Sequence, residues 1–421
     1  MSVGRKGYKY LFIMFFMRFN NAHVFVVDAD SYPVHRDRLF CGIKNPNQVT
    51  TIKKSGKKRP NSSYFGLIAD LVTLRVGDYV LFYQMRKEEA KFDRGFRGIF
   101  RVFSEPFFSD EDIDGLDSSQ GSLGSKDKKV LGKCPHCQTN LSERADAKTG
   151  EKYCRKCQKE LEFHILPNRV LIEPVMVFED PIDDNTAYID RNYINDDLKE
   201  NLPILWTMLF RKTSGEGRAR SITHILPEEY KKLEKIFKDN CKVSEESNFV
   251  SYKPKNKTDI IIPLDTDENG ELKVEAFLEA WLMSKIGKGK IKGLSEIIGD
   301  GEDIEYFGNN VLYGIGGERV DILIIHNDGK ERIKASVIEL KKGKLTKKDV
   351  EQIKDYTKWM SQLVFGNDSG ESKLKIQPIL IGLKADDKII EKTQKLIGDT
   401  QKPILMEYEV KDNKIEFKKV L

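Results

Sequence analysis

Two apolar runs in the last third of the chain, Asp321-Ile-Leu-Ile-Ile-His326 and Val337-Ile-Glu-Leu-Lys341, read as β-strands joined by a polar connection containing Asn327-Asp-Gly-Lys330. Residues two apart on a strand share a face, so Glu339 and Lys341 project together while Ile338 and Leu340 turn the other way, into a core. Before this hairpin, Val274-Glu-Ala-Phe-Leu-Glu-Ala-Trp-Leu282 has helical period. Phe277, Leu278, Trp281 and Leu282 form its apolar stripe, and Glu275 and Glu279 fall one turn apart on one face. After the hairpin, the segment from Thr346 to Met360 predicts a second helix. Thr346 is its N-cap, Asp349 forms an imperfect capping box, and Gln352 and Tyr356 lie one turn apart. Gln377-Pro-Ile-Leu-Ile-Gly-Leu383 predicts a later strand. The N-terminal half has a different pattern of short strands: Ala22–Val27, a turn and strand over Val76–Tyr83, then Gly95–Phe103 and Arg169–Phe178. These predict a small β-barrel.

A chain of 421 residues accommodates two or three such units. Polar stretches separate them: Ser109 to Lys129, and Asn240 to Thr258. The expected division is a barrel over 1–240 interrupted at 130–162, a linker over 241–262, and an α/β unit over 263–421. A net charge of +5, from 71 basic and 66 acidic residues, permits nucleic-acid binding without arguing for it. The apolar run Tyr10-Leu-Phe-Ile-Met-Phe-Phe-Met17 is too short to span a bilayer, and no small-residue cleavage site follows it. It reads as an extra strand, or as sequence ahead of a start near Met17. No membrane partner is expected, and the expected location is cytoplasmic.

The interruption carries the strongest local motif. Cys134-Pro-His-Cys137 and Cys154-Arg-Lys-Cys157 are separated by 16 residues. Four thiolates at this spacing close a tetrahedral structural Zn²⁺ site with no open position for water. The expectation is a zinc ribbon that folds around its metal, with two disulfides or an iron–sulfur centre as the alternatives. His136 and His164 are spare. Cys41 and Cys241 lack CxxC partners and read as small apolar residues.

The C-terminal pattern carries candidate chemistry. Asp321, Glu339 and Lys341 are two acids and a lysine at the edge of an apolar hairpin, able to hold a hard cation such as Mg²⁺ or Mn²⁺ beside an ammonium group. The bare string also suits an ordinary amphipathic hairpin with solvated charges. Together with the flanking helices and the later strand, residues 265–421 closely resemble the PD-(D/E)XK nuclease superfamily, with Asp321 as its "D" and Glu339-Leu340-Lys341 as its "(D/E)XK". The resemblance implies a restriction-endonuclease-like core, a mixed central sheet flanked by helices. It also implies Mg²⁺ ligands in Asp321 and Glu339, with the Leu340 carbonyl as a further oxygen. Glu275 completes the metal site, Glu279 is the reserve, and Gln352 stands beside the active site. Unaided phosphodiester hydrolysis is so slow that such an enzyme must supply on the order of 20 kcal/mol, which favours cation chemistry over a bare acid–base pair. Lys342 and Lys344, with Lys347 and Lys348, are candidate phosphate contacts.

The N-terminal strings Leu74-Arg-Val-Gly-Asp-Tyr-Val-Leu-Phe-Tyr83 and Gly98-Ile-Phe-Arg-Val-Phe103 resemble the EVE/YTH-like branch of the PUA-like superfamily. Asn201–Arg211 and Ile225–Leu233 resemble its closing elements. That resemblance implies a PUA-like barrel reading a nucleotide, often a modified base flipped from its stack, which needs aromatic faces. Candidates are Tyr32, Phe40, Tyr64, Phe65, Tyr83, Phe96 and Trp206, each with a core role as the alternative. Asp28, Asp30, His35 and Arg36 are placed on the loop after the first strand, and the run Lys53–Arg59 is a candidate phosphate grip. The combined expectation is a metal-dependent DNA endonuclease directed by a modified base or another DNA feature, in a restriction-like role. Cutting both strands would need two active sites, which a homodimer supplies. The alternatives are an RNA endonuclease, a mismatch-repair-type DNA endonuclease, and an inactive nucleic-acid-binding protein.

Overall fold

The computed structural model of the chain describes residues 21–27, 31–43, 50–52, 58–60, 62–85, 95–109, 166–187, 221–244, 249, 251–299, 301, 303–313, 318–365, 375–395 and 402–421. The N-terminal part runs β1 (Ala22–Val27), α1 (Tyr32–Arg38), β2 (Phe40–Ile43), β3 (Thr50–Ile52), β4 (Lys58–Pro60), α2 (Ser62–Val72), β5 (Tyr79–Gln84), β6 (Gly95–Val102), β7 (Phe107–Phe108), β8 (Asn168–Ile182), α3 (Asp184–Ala187), β9 (Ile222–Ile225) and α4 (Pro227–Asn240). Its main sheet has the order β2-β8-β6-β5-β1-β9, with β7 on β8, and only β1 and β5 pair in parallel. Register slips between β6 and β8, at Phe96/Gly98 and Ile99/Phe100, mark irregularities that bend a strand and raise its twist. The long β8 exposes Glu173, Pro174 and Val175 in its middle. The result is a curled half-barrel.

The C-terminal part runs α5 (Glu275–Lys285), α6 (Ser295–Ile298), β10 (Ile304–Tyr313), β11 (Glu318–Asn327), β12 (Arg332–Leu340), α7 (Lys347–Phe365), β13 (Lys375–Gly382), α8 (Asp387–Gln394), β14 (Ile404–Lys411) and β15 (Lys414–Lys419). Its six strands lie in sequence order, antiparallel across β10-β11-β12, parallel across β12-β13-β14, and antiparallel again at β15. Period-2 alternation divides the sheet residues between two layers. Ile322, Ile324, Ile338 and Leu340 join the core containing α5, while Leu323, Ile325, Ala335 and Val337 join the one containing Val350, Ile353 and Tyr356 of α7.

Helix α5 buries Ala276, Phe277, Leu278, Ala280, Trp281, Leu282 and Met283, an apolar set too wide for one face. It packs on the second sheet and also on α2, where the Phe65 and Phe277 rings meet edge-on at 4.6 Å. One continuous apolar cluster therefore holds residues of both halves.

Three details differ from the sequence pattern. Strand β11 begins at Glu318 rather than Asp321, because β10 pairs with it back to Tyr313↔Glu318. His35 and Arg36 lie on a short helix, started by a proline in its first turn and closed by Leu39 in the left-handed region at φ 54°, rather than on a loop. The described residues of 241–262 lie along the half-barrel: Phe108 and Thr258 exchange backbone hydrogen bonds, and the Tyr252 N–H donates to Arg38 O at 3.0 Å. Cys134, Cys137, Cys154 and Cys157 of the expected zinc ribbon lie outside the described residues, as do Tyr10–Met17, Asp28, Asp30, Lys53–Lys57, Asn201–Arg211 and Trp206. Among the described residues no helix is long and apolar enough to cross a membrane.

Candidate active site

The hairpin β11–β12 brings the two predicted acids together. Its register pairs Ile322 with Ile338, so one further step sets Asp321 opposite Glu339. Asp321 Oδ2 accepts the Leu340 N–H at 2.7 Å, just past the Ile322–Ile338 pair of the two strands. The Glu339 carboxyl lies near enough to Asp321 for its charge to act on it. The Lys341 ammonium donates to Glu339 Oε1 and stands 4.0 Å from Asp349 Oδ1. Asp349 also accepts, through Oδ2, from both the N–H and the hydroxyl of Thr346 at 2.7 Å each, so the capping residue of α7 is shared with the site.

Electrostatics follow from crowding two acids below the surface. Burial, and then the Glu339 charge, hold Asp321 well above the usual carboxylate range, against the Leu340 N–H and Lys341. Burial also raises Glu339, against the opposing pull of Lys341. For Lys341, burial acts to lower the pKa, but Glu339, Asp321 and Glu275 outweigh it and hold the ammonium above its ordinary value.

Glu275, in the first turn of α5, reaches the same end of the sheet: its Oε2 accepts the Lys342 N–H at 3.1 Å, and burial raises its pKa. Glu279, the reserve candidate, is engaged elsewhere, accepting from Asn309 Nδ2 at 2.5 Å and from Asn310 Nδ2. Gln352 donates to the Tyr356 hydroxyl along its own helix rather than to either acid. Lys342 pairs with Glu271 and its carbonyl accepts from the Tyr408 hydroxyl, whereas Lys344 is exposed. The pattern of the sequence missed Glu271, Asp349 and Tyr408 as neighbours of the site. Only Asp349 carried a signal, its place three residues after the cap.

Whether these residues suit a divalent cation can be tested on the donor set. Glu339 is 1% exposed, and its Oε2 is buried with no hydrogen-bond partner. An orphaned carboxylate oxygen beside a second acid fits a cation held by Asp321 and Glu339. Glu275 is committed to a backbone N–H, and among the described residues no group of three His, Cys, Asp or Glu side chains is gathered tightly enough to hold a metal.

In the half-barrel, most of the candidate aromatics are core. Phe40 and Phe96 are fully buried and Phe65 nearly so, with Phe96 against Phe237 at 5.0 Å and Tyr83 at 5.2 Å. Flat apolar side chains are drawn inward by the same hydrophobicity that suggested them as stacking platforms. Tyr64 is also buried, and its hydroxyl accepts from Asn168. Tyr83 is partly exposed. Tyr32 is buried, donates to Arg97 O at 3.3 Å, and lies under the Arg36 and Arg97 guanidinium groups at 5.6 and 5.7 Å; burial pushes its hydroxyl up to about 12.

No family model matches the chain, and no curated protein matches it. Several solved structures do. A hypothetical protein from Leishmania major is 12% identical, with 52% of this chain and 96% of that one covered and a TM-score of 0.26. A protein from Pseudomonas putida is 10% identical, with 51% and 98% covered and a TM-score of 0.24. The human THYN1 protein, solved in complex with DNA containing 5-methylcytosine, is 7% identical, with 52% and 98% covered and a TM-score of 0.25. Likeness at these scores carries no argument about what this chain binds.

Proposed function

We propose that the chain is a metal-dependent endonuclease that hydrolyses phosphodiester bonds of DNA at the Asp321/Glu339/Lys341 site, directed by a base or other nucleic-acid feature read by the N-terminal half-barrel. The observation that carries this reading is the Asp321–Glu339 carboxyl pair, Glu339 buried and Asp321 half-buried, with an unpartnered Glu339 oxygen and the Lys341 ammonium alongside. Asp321 and Glu339 would hold Mg²⁺ or Mn²⁺. A cation there would stabilise charge on the attacking and leaving oxygens. Lys341 stays protonated at neutral pH because its acidic neighbours raise it, so it serves as a donor to a phosphate oxygen or to a hydroxide and not as a base. Glu275 would join the ligand set by exchanging its Lys342 N–H for the cation. The reader role of the half-barrel, and the structural Zn²⁺ at Cys134, Cys137, Cys154 and Cys157, rest on the sequence motifs.

The test is cleavage of end-labelled duplex DNA, single-stranded DNA and RNA, with matched, mismatched and methylated duplexes, in Mg²⁺ and in Mn²⁺. Duplex DNA is the expected substrate, and Asp321→Ala and Lys341→Ala should each lower the rate by at least about 100-fold. Cleavage surviving in both variants sinks the assignment, and cleavage of RNA alone moves it to an RNA endonuclease. A second reading, an inactive nucleic-acid-binding protein, is favoured by one observation: no group of three His, Cys, Asp or Glu side chains is assembled for a metal among the described residues. Absence of Mn²⁺ binding in a direct titration would select it.

A further inference from the structure

The two halves of the molecule meet over a chain of buried polar side chains that lies apart from the candidate site. Asp78, in the turn before β5, accepts the Asn21 N–H through Oδ1 at 3.2 Å and the Arg75 N–H through Oδ2 at 2.8 Å, as a carboxylate does. Its Oδ2 also faces His23 Nε2 at 2.9 Å. His23 Nδ1 lies 2.6 Å from His224 Nδ1, and His224 Nε2 lies 2.5 Å from Asn309 Oδ1. The Asn309 amide has a fixed sense, because its Nδ2 donates to two carboxylates, Asp70 Oδ1 at 2.9 Å and Glu279 Oε1 at 2.5 Å. All of the chain up to Asn309 is buried, from 0% exposure at His23 and Asp78 to 3% at His224.

Hydrogen-bond polarity then fixes the protons. A carboxylate oxygen and an amide oxygen accept only, so both histidine Nε2 atoms must carry hydrogen. The short Nδ1–Nδ1 contact needs one more hydrogen between its two nitrogens. Such a desolvated chain has one satisfied arrangement and a large penalty for others, which makes it a rigid strut. Its last member, Glu279, is one turn along α5 from Glu275, a rise of about 6 Å. Glu275 in turn meets the end of β12 through the Lys342 N–H.

We propose that Asp78, His23, His224 and Asn309 act through Glu279 as positioning residues for Glu275, so that the N-terminal sheet sets where this carboxylate stands against the end of β12. The functional meaning rests on Glu275 belonging to the proposed phosphodiester site, but the positioning itself has its own readout. In the full-length protein without metal or substrate, hydrogen exchange at the Lys342 amide reports the Glu275 contact. The Lys341 amide, bonded to Ile381 O at 2.8 Å, serves as the internal reference. Glu279→Ala and Asn309→Ala should each accelerate Lys342 exchange by about tenfold with Lys341 unchanged. Glu279→Gln, whose amide oxygen still accepts from Asn309 and Asn310, should stay within about twofold of wild type. Partial exposure of Glu279 makes its variants the safer pair if Asn309→Ala fails to fold. Unchanged Lys342 exchange in the alanine variants, equal acceleration of both amides, or a glutamine variant as fast as the alanine one overturns the proposal. A chain that passes this test yet cuts no nucleic acid retains the strut and loses only the nuclease reading. In an active enzyme, Glu279→Ala should lower kcat with KM little changed.

Discussion

Asp321 and Glu339 set two carboxyls beside one ammonium, and burial raises both acids above their ordinary range. The sign of the pH dependence follows. A raised acid binds more protons folded than unfolded, so the folded state loses stability as pH climbs from about 4, the unfolded carboxylate value, through the raised folded value. Asp321→Asn removes the repelling charge while its side-chain oxygen can still accept the Leu340 N–H. In chelator, its Tm should exceed that of wild type at pH 7.5 by about 2 °C, and the difference should vanish near pH 4, where both forms are uncharged. Adding Mn²⁺ should then stabilise wild type more than the variant. Thermal melts at the two pH values check this, and a less stable variant at pH 7.5 contradicts the repulsion. At this scale the pair itself was legible, since residues two apart on a strand and opposite on a hairpin are fixed by period and turn. Engagement of Glu279 with Asn309 was not, because helical spacing says which residues share a face and nothing about what faces them.

Among the elements, the stem of the insertion makes the clearest case. Strand β7 pairs with the start of β8, Phe107 opposite Arg169 and Phe108 opposite Asn168, and the Ser109 N–H donates to Pro167 O at 2.8 Å. Ser109 and Pro167, which flank the segment 110–165, are thus neighbours. The stem is closed by buried Arg169, which donates to Leu166 O and to the Tyr252 hydroxyl at 2.6 Å each. Replacing 110–165 with a flexible linker of about six residues should span the gap at small entropic cost. The variant should keep its circular dichroism spectrum and a Tm within about 3 °C of wild type, while metal analysis finds zinc in the wild type and none in the variant. Failure of that variant to fold would show that the insertion stabilises its host. The cysteine spacing pointed to an inserted unit, but the closed stem comes from a pairing between residues about 60 apart in the sequence, which no local pattern encodes.

The whole molecule is joined through α5 and Arg75. This buried guanidinium donates Nη1 to Val72 O and Leu74 O, at 2.5 and 3.2 Å, and Nη2 to Met283 O and Ile286 O, at 2.6 and 2.9 Å, with the Phe307 ring 4.9 Å away. It closes the ends of α2 and α5 with one side chain from the first half. Burial lowers its pKa to about 10, which leaves it charged at neutral pH. Arg75→Ala strands several carbonyls and should cost on the order of 3 kcal/mol. Because the halves share one apolar cluster, wild type should unfold in a single calorimetric transition, and the variant at lower temperature. Two resolved wild-type transitions would refute the shared core.

Local order was determined by the sequence alone. Apolar period placed β1, β5, β6, α5, the β11–β12 hairpin, α7 and β13, and it paired Glu339 with Lys341, because period and turn chemistry act over a few residues. Tertiary structure decided the rest. It curled the first sheet, buried most of the aromatics offered as stacking faces, laid Tyr252 and Thr258 along the half-barrel, and assembled the histidine chain from segments about 200 residues apart. Those outcomes depend on which surfaces exclude water together and which buried polar atoms find partners, and both are properties of the packed chain.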